Sequence, residues 1–585
     1  MKTDYPLLNA VWADLVAEEL VRQGIKMVCL APGSRSAPLA VAFFSHEGLE
    51  TLVHIDERSL GFYALGIAKA TGEPVAIVIT SGTAVANLLP AIVEAAQDHV
   101  PLIVLTADRP PELIGTGANQ AIDQVKIFGD YTVYQTVIGP PCLEVSPRYV
   151  VSTIGYAVFF SRRFGGPVHI NMMFREPLVA PGKIQDFSDY LVPLKKWMAG
   201  GQPYTTYFPC LPTLPDLALA QLLPFLSGQK GVIIAGQLSL SESDAVLRFA
   251  EAAGWVVLPD VTSQLRLRMH PLVVTYAEVL LGQGDVVDQM ACDVIFHIGG
   301  RLTGKHLMAF ASKIDPAVSY VQISPNSSKQ DPDHRVTLRI EADIEETCRL
   351  LSEQVKPSFE RQNFLLSASD EISSFFDHAL LPKNLLTEQA LSRFLSRTLP
   401  ETVGLFLGNS LPIRMMAIAG VSRLDAPVVQ ANRGASGIDG LISTAAGWAQ
   451  GRQKPVVLLV GDVSALHDLT ALHLVARSAV PVIVMVVNNS GGGIFSYLPV
   501  AACGAAFESC FQTPIEVKFD SVSAGFGMPY YRVSTTLFLD EIVRPLFDAP
   551  VSCLVEIVVP IKETLSFSEA LSAHVDSYFS PKASS

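Results

Sequence analysis

The chain is 585 residues long, carries a formal net charge of −14, and is 49 % hydrophobic but only 17 % charged. That length exceeds what one hydrophobic core organises, and three domains are expected. The acidic balance disfavours nonspecific nucleic-acid binding, which rewards clustered Lys and Arg. The longest apolar runs, such as VPVIVMVV at 480–487, are too short for a membrane helix.

The opening MKTDYPLLNAVWADLVAEEL places acids early and has no apolar block leading to a cleavage site, which predicts a cytoplasmic protein. The first third then carries strand-like runs KMVCLAP, TLVHI, EPVAIVITS and PLIVLTAD, separated by helical periodicity. That alternation predicts βαβ units with buried parallel strands. Between 177 and 215 the pattern gives way to Pro and Gly, as in EPLVAPGKIQ and QPYTTYFPCLPTLPDL, and a linker is expected. A second α/β segment holds GVIIAGQ, CDVIFHIGG and SYVQISP and fades into SEQVKPSFERQN near 352–363. The last segment holds VGLFLGNS, PVVQANRG, KPVVLLVGD and VPVIVMVVNNS. The reading is an α/β protein of three domains, 1–185, 186–365 and 366–585, each a mostly parallel sheet flanked by helices.

CLAPGSRSAPLAVAF at 29–43 and LFLGNSLPIRMMAIA at 405–419 share a strand, a small polar loop and a helix with an early Pro. Domain duplication accounts for the echo, and so does chance likeness between two βα turns. Eight cysteines, at 29, 142, 210, 292, 348, 503, 510 and 553, form no CxxC pair. Buried free thiols are expected rather than a zinc site or a disulfide framework.

In an open parallel sheet, ligands sit beyond the carboxyl ends of strands. VVLLV is followed there by Gly461-Asp462-Val463-Ser464-Ala465, and VIVMVV by Asn488-Asn489-Ser490-Gly491-Gly492. Asp462, the Asn489 side chain and the Gly491 carbonyl would give a hard divalent ion the oxygen ligands it needs. The glycines allow backbone to approach a diphosphate, and a helix expected over Val463–Leu474 would aim its amides at the same anion. A GD followed by NN some 25 residues later resembles the cofactor motif of thiamine-diphosphate enzymes. Taken alone, a helix cap and a turn explain the same residues.

HIDERSLGF places Glu57 where a strand ending at Ile55 meets a helix beginning near Arg58. Thiamine chemistry needs a carboxyl group to protonate N1′ of the aminopyrimidine, and an acid at a strand mouth suits that task. A glutamate stabilising its helix dipole is the structural alternative. The two signals predict each other, which favours the functional reading of both.

The ordered motifs APGSRSAPLA, HIDERSLGF, SGTAVANLLPAIVEA, TADRPPEL, GANQ, LTGK, LGNSLPIR, NRGASGIDG, GDVSALHDLTAL and NNSGGGIFSYLP span residues 31–499. Together they resemble the MenD family, the thiamine-diphosphate-dependent 2-succinyl-5-enolpyruvyl-6-hydroxy-3-cyclohexene-1-carboxylate synthases. The resemblance implies a pyrimidine-binding domain, a central Rossmann-like domain and a diphosphate-binding domain, in that order. It also implies decarboxylation of 2-oxoglutarate and 1,4-addition of the succinyl carbanion to isochorismate, in menaquinone or phylloquinone biosynthesis.

The implied cofactors are thiamine diphosphate and Mg²⁺, or Mn²⁺ in its place. Glu57 becomes the catalytic acid. Ile438 props the cofactor, Gly461, Asp462, Ser464, Ala465, Asn489, Gly491 and Ile494 surround it, and Asp462, Asn489 and Gly491 bind the metal. Ser34, Arg35, Arg109, Asn119, Gln120, Lys305, Ser410, Arg414, Arg433 and Phe495 line the substrate pocket, where arginine forks suit two dicarboxylates. His306 stands where some members carry arginine, and Val463 replaces the usual glycine of the metal motif, although GDVSAL is what the MenD family resembles at this point. A homodimer or homotetramer is implied, with active sites between subunits and no nucleic-acid or membrane partner. Another thiamine-diphosphate 2-oxo acid decarboxylase or carboligase is the near alternative. A noncatalytic nucleotide-binding scaffold is the distant one, disfavoured because no GxGxxG follows the early strands.

Overall fold

A computed structural model describes residues 2–208, 210, 212–357, 363–380 and 386–579. β-Branched runs bounded by polar loops become strands because branched side chains pack well on a pleated surface, and they assemble into three parallel sheets. The first contains β1 (Met27–Leu30), β2 (Glu50–Val53), β3 (Val75–Ile79), β4 (Leu102–Asp108), β5 (Tyr134–Ile138) and β6 (Pro167–Met173), in the order β2-β1-β3-β4-β6-β5. The second contains β7 (Gly231–Ala235), β8 (Val256–Pro259), β9 (Val294–Ile298), β10 (Ser319–Ser324) and β11 (Leu338–Glu341), ordered β8-β7-β9-β10-β11. The third contains β12 (Gly404–Leu407), β13 (Val429–Ala431), β14 (Val456–Gly461), β15 (Val482–Asn488), β16 (Tyr530–Val533) and β17 (Cys553–Val558), ordered β13-β12-β14-β15-β17-β16.

The α/β class is as expected, and each run singled out in the sequence contains a strand. The first and third sheets share one strand order. The echo between 29–43 and 405–419 falls at the same point of both, where β1 leads to the Ala37–Ser45 helix and β12 to the Leu411–Ala419 helix. Equivalent position in equivalent topology favours duplication over a chance likeness of turns.

Contact density divides the chain into two compact units. One comprises Met1–Cys210, Asn432–Gln453 and His467–Val480, and the other Leu211–Ala431, Lys454–Leu466 and Pro481–Ser585. The first sheet belongs to the former and the other two to the latter. Strands β3 and β4 are buried along their whole length, which explains why they read as continuous apolar runs without alternation. Within the first unit the Glu57–Thr71 helix lies tightly on the Leu441–Arg452 helix. A Cβ on Gly66 would stand 2.1 Å from the Thr444 carbonyl oxygen, and one on Gly447 would stand 2.0 Å from that of Tyr63. Only glycine permits that approach of backbones.

Three expectations need correction. The segment 177–215 is not a free linker: Gln185–Asp186 pairs with Asp4–Tyr5, and Leu191, Leu194 and Trp197 join the first core. The Trp197 indole donates to Glu19 at 2.9 Å, so apolar anchors there outweigh the Pro and Gly signal. The helix expected over Val463–Leu474 is broken into Asp462–His467, a 3-10 turn Leu469–Ala471 and Leu472–Arg477. All eight cysteines are free, but only Cys29, Cys348 and Cys553 are buried, while Cys210, Cys503 and Cys510 are exposed. The second expected boundary, near 352–363, includes residues 358–362, which lie outside the described residues. Among the described residues no helix is long and apolar enough to cross a membrane.

Candidate active site

β14 and β15 pair in register, with Gly461 opposite Val487, so Asp462 and Asn489 leave the carboxyl ends of neighbouring strands together. Asp462 is buried. Its carboxylate accepts from the Gly491 N–H at 2.9 Å and the Val463 N–H at 2.8 Å. Burial raises its pKa to about 6, against the pull of those backbone donors. The Asn489 amide donates to Glu388 Oε1 at 3.0 Å, and its Oδ1 is buried without a hydrogen-bond partner among the described residues. Gly491 has φ +123°, and a Cβ there would lie 2.1 Å from the Gln512 carbonyl oxygen, so no other residue fits the loop. The Gly491 carbonyl accepts from the Gly493 N–H at 2.9 Å, which leaves one lone pair.

A buried carboxylate, an orphaned amide oxygen and a half-used carbonyl form an all-oxygen donor set that fits Mg²⁺. Ser464 and Ala465 are buried behind Asp462, and Gly461, Ile494 and Phe495 are half-buried. Phe495 is braced edge-on by Phe511 at 5.6 Å.

The same unit holds part of the expected substrate set. Ser410 ends the β12 turn at φ +72°, a strained conformation for a residue with a Cβ. Its carbonyl accepts from Arg414 at 2.7 Å. Burial lowers the Arg414 pKa while Glu278 pulls it upward. Glu278 also accepts the His306 and Leu307 N–H groups, both at 3.0 Å, capping the helix that Lys305 begins. The LTGK turn is thereby fixed by Glu278, whose charge also acts on Arg414. Lys305 is exposed and His306 half-buried. The His306 ring, standing where arginine was expected, is held by the Glu278 carbonyl at 3.0 Å.

In the other unit, Glu57 is the first residue of its helix, capped by Asp56, and accepts from the Asn87 amide at 3.3 Å. Its flanks are tied down: Arg58 donates to the His467 carbonyl at 2.8 Å, and Asp56 accepts from Thr470. Arg35 and Arg109 are buried beside each other. Burial first, and then the charge of Arg35, holds Arg109 below its usual pKa. Arg109 donates to the Ser81 hydroxyl, Gln120 donates to the Ser81 carbonyl at 2.9 Å, and Arg35 pairs with Glu176 at 3.0 Å. Asn119 and Ser34 are exposed next to this cluster in sequence. Arg433 and Ile438 are half-buried in the loop after β13, whose Gly434 and Ala435 N–H groups are both accepted by the buried Glu94, the first at 2.8 Å.

Residues 11–127 match the thiamine pyrophosphate enzyme N-terminal TPP binding domain, 188–407 the middle domain of thiamine pyrophosphate enzymes, and 421–557 the C-terminal TPP binding domain. The 2-succinyl-5-enolpyruvyl-6-hydroxy-3-cyclohexene-1-carboxylate synthase of Rubrobacter xylanophilus is 40 % identical over 98 % of this chain and 99 % of its own. The proteins of the same name from Aeromonas salmonicida and Salinibacter ruber are each 38 % identical, over 98 % and 95 % of this chain and 99 % and 94 % of theirs. The chain belongs to this synthase family. It is a thiamine-diphosphate-dependent enzyme of the transferase type.

Several residues that organise this synthase's loops escape sequence reading. Glu388 reads locally as the first residue of a Thr387-capped helix, yet it is buried and its carboxylate accepts from Asn489. Glu94 reads as a helix residue, Glu278 as a polar helix start and Asp468 as a mid-helix acid. Each acts on a segment distant in sequence; Glu94 and Asp468 lie inside the SGTAVANLLPAIVEA and GDVSALHDLTAL motifs, which do not say what their carboxylates face, and Glu278 and Glu388 lie in no motif.

Proposed function

We propose that the chain decarboxylates 2-oxoglutarate and joins the resulting succinyl unit to isochorismate by 1,4-addition, yielding 2-succinyl-5-enolpyruvyl-6-hydroxy-3-cyclohexene-1-carboxylate for menaquinone or phylloquinone synthesis. The observation that carries this reading is the buried Asp462 beside the orphaned Asn489 oxygen, in a chain similar along its length to synthases named for that product. When bound, thiamine diphosphate supplies the electron sink that lets a 2-oxo acid lose CO₂ and its former carbonyl carbon attack an acceptor. Asp462, Asn489 and the Gly491 carbonyl would hold the Mg²⁺, or Mn²⁺, that the diphosphate requires. Glu57 holds a proton at the pyrimidine. Arg35, Arg109, Arg414 and Arg433, with Lys305, Ser34, Ser410, Asn119 and Gln120, bind the substrate carboxylates and hydroxyls, and Ile438, Ile494 and Phe495 wall the reacting centre from water.

The boundaries near 185 and 365 delimit the three domains, and the enzyme works in the cytoplasm. Exposed apolar side chains gather just before Glu57, with Phe44 76 %, Val53 54 % and Ile55 75 % exposed, and β2 is an edge strand. Such a patch supports a dimer or tetramer that places Glu57 in a subunit interface.

Titration calorimetry with and without Mg²⁺ is the first test. Wild-type protein is expected to bind thiamine diphosphate only with Mg²⁺, and Asp462→Ala to lose that binding; unchanged affinity in the variant overturns the metal site. Turnover of 2-oxoglutarate with isochorismate, against pyruvate alone, tests the substrate assignment.

A further inference from the structure

Glu388 opens the Glu388–Thr398 helix and is buried at 2 % exposure. Its backbone N–H is held by the Thr564 hydroxyl at 3.2 Å, and Gln389 beside it donates to the Thr564 carbonyl at 3.0 Å and to Ser568 at 2.9 Å. The Ile561–Phe579 helix thus fixes the place where Glu388 stands. Among the described residues the Glu388 side chain has one hydrogen-bond partner, the Asn489 amide at 3.0 Å, and no ion pair reaches Glu388 or Asp462.

Two features of this arrangement ask for an explanation. A carboxamide can present either its oxygen or its nitrogen to a given neighbour. Glu388, an acceptor when ionised, selects the nitrogen end, and this leaves Oδ1 as the buried, unpartnered atom. In addition, two enclosed carboxylates without a basic partner are costly when ionised, and a cation beside them would offset that cost. Both are resolved if the site is built around a divalent ion.

Resting on the metal reading above, we propose that Glu388 is a positioning residue: it locks the Asn489 carboxamide with its oxygen turned to the cation, without ligating the metal itself. Outer partners of this kind typically set metal affinity by 10- to 100-fold.

The test is Mn²⁺ affinity in the presence of thiamine diphosphate, measured by electron paramagnetic resonance, alongside the Mg²⁺ dependence of turnover. Glu388→Ala is expected to weaken Mn²⁺ binding roughly 10- to 100-fold, with the apparent KM for Mg²⁺ rising in proportion and kcat at saturating Mg²⁺ largely kept. A charge swap separates positioning from simple support of the fold. In Glu388→Gln combined with Asn489→Asp, the glutamine amide donates to the new carboxylate, whose other oxygen remains for the metal. The pair is expected to bind Mn²⁺ more tightly than either single variant. Unchanged affinity in Glu388→Ala, or no recovery in the swap, overturns the proposal. If Asp462→Ala also leaves Mn²⁺ binding intact, the metal reading itself fails; if only Asp462→Ala loses it, the role of Glu388 alone fails.

Discussion

Glu57 and Asp462 are both acids at strand mouths, yet their surroundings differ. Asp462 is enclosed and receives backbone donors, whereas Glu57 is half-buried with a single amide neighbour. The first environment suits a ligand that stays in place, and the second an acid that must meet the cofactor's pyrimidine. Glu57→Gln keeps the shape and the Asn87 contact but cannot exchange the proton, so it is expected to retain Mg²⁺-dependent cofactor binding while kcat falls on the order of 10²- to 10⁴-fold. Steady-state kinetics paired with calorimetry checks this, and near-normal turnover would remove Glu57 from its role. Both residues were legible in the sequence because each sits in a short motif at a strand end. Glu388 was not, because a glutamate at a helix start is ordinary and nothing local says that it is enclosed.

At the level of elements, the broken helix after Asp462 is instructive. Residues 463–474 carry a helical pattern, but Asp468 leaves the helical conformation and turns its carboxylate to the Ser443 N–H at 2.9 Å and hydroxyl at 3.1 Å. There it caps the Leu441–Arg452 helix, so a long-range contact overrides local propensity. Burial raises the Asp468 pKa from 3.8 to about 7. Because the folded-state value is raised, the ionised carboxylate is disfavoured by folding. The cost is absent below about pH 4 and grows until about pH 7. Asp468→Asn keeps an acceptor without the titration. Chemical denaturation is therefore expected to show wild type losing stability relative to this variant between pH 4 and 7, on the order of 2–4 kcal/mol; parallel pH profiles would contradict the assignment.

Across the whole molecule, the shared strand order of the first and third sheets puts the Glu57 turn and the Asp462 turn on equivalent scaffolds, each offering loops at strand carboxyl ends. The exposed Phe44, Val53 and Ile55 lie on the Ala37–Ser45 helix, on the edge strand β2 and in the turn that leads from it to Glu57. Ile55→Asp is expected to shift sedimentation velocity profiles toward monomer and to lower specific activity on dilution, while leaving the monomer's thermal unfolding close to wild type. A variant that remains fully assembled would place the subunit interface elsewhere.

The sequence by itself determined the α/β class, the buried strands, the loops that carry Asp462, Asn489 and Glu57, and the family, because period, composition and short motifs are local properties. The weak edge strands such as β5 and β16, the anchoring of 185–199 in the first core, and the break at Asp468 were decided by tertiary structure. So was the service of Glu94, Glu278 and Glu388 to loops 28 to 340 residues away. A carboxylate's environment is set by what folding brings against it: the same glutamate that caps a helix in one setting orients an amide in another, and only the packed chain distinguishes the two. The Asp462 and Asn489 loops were therefore visible as a motif, but the reason the Asn489 amide oxygen stands free was not.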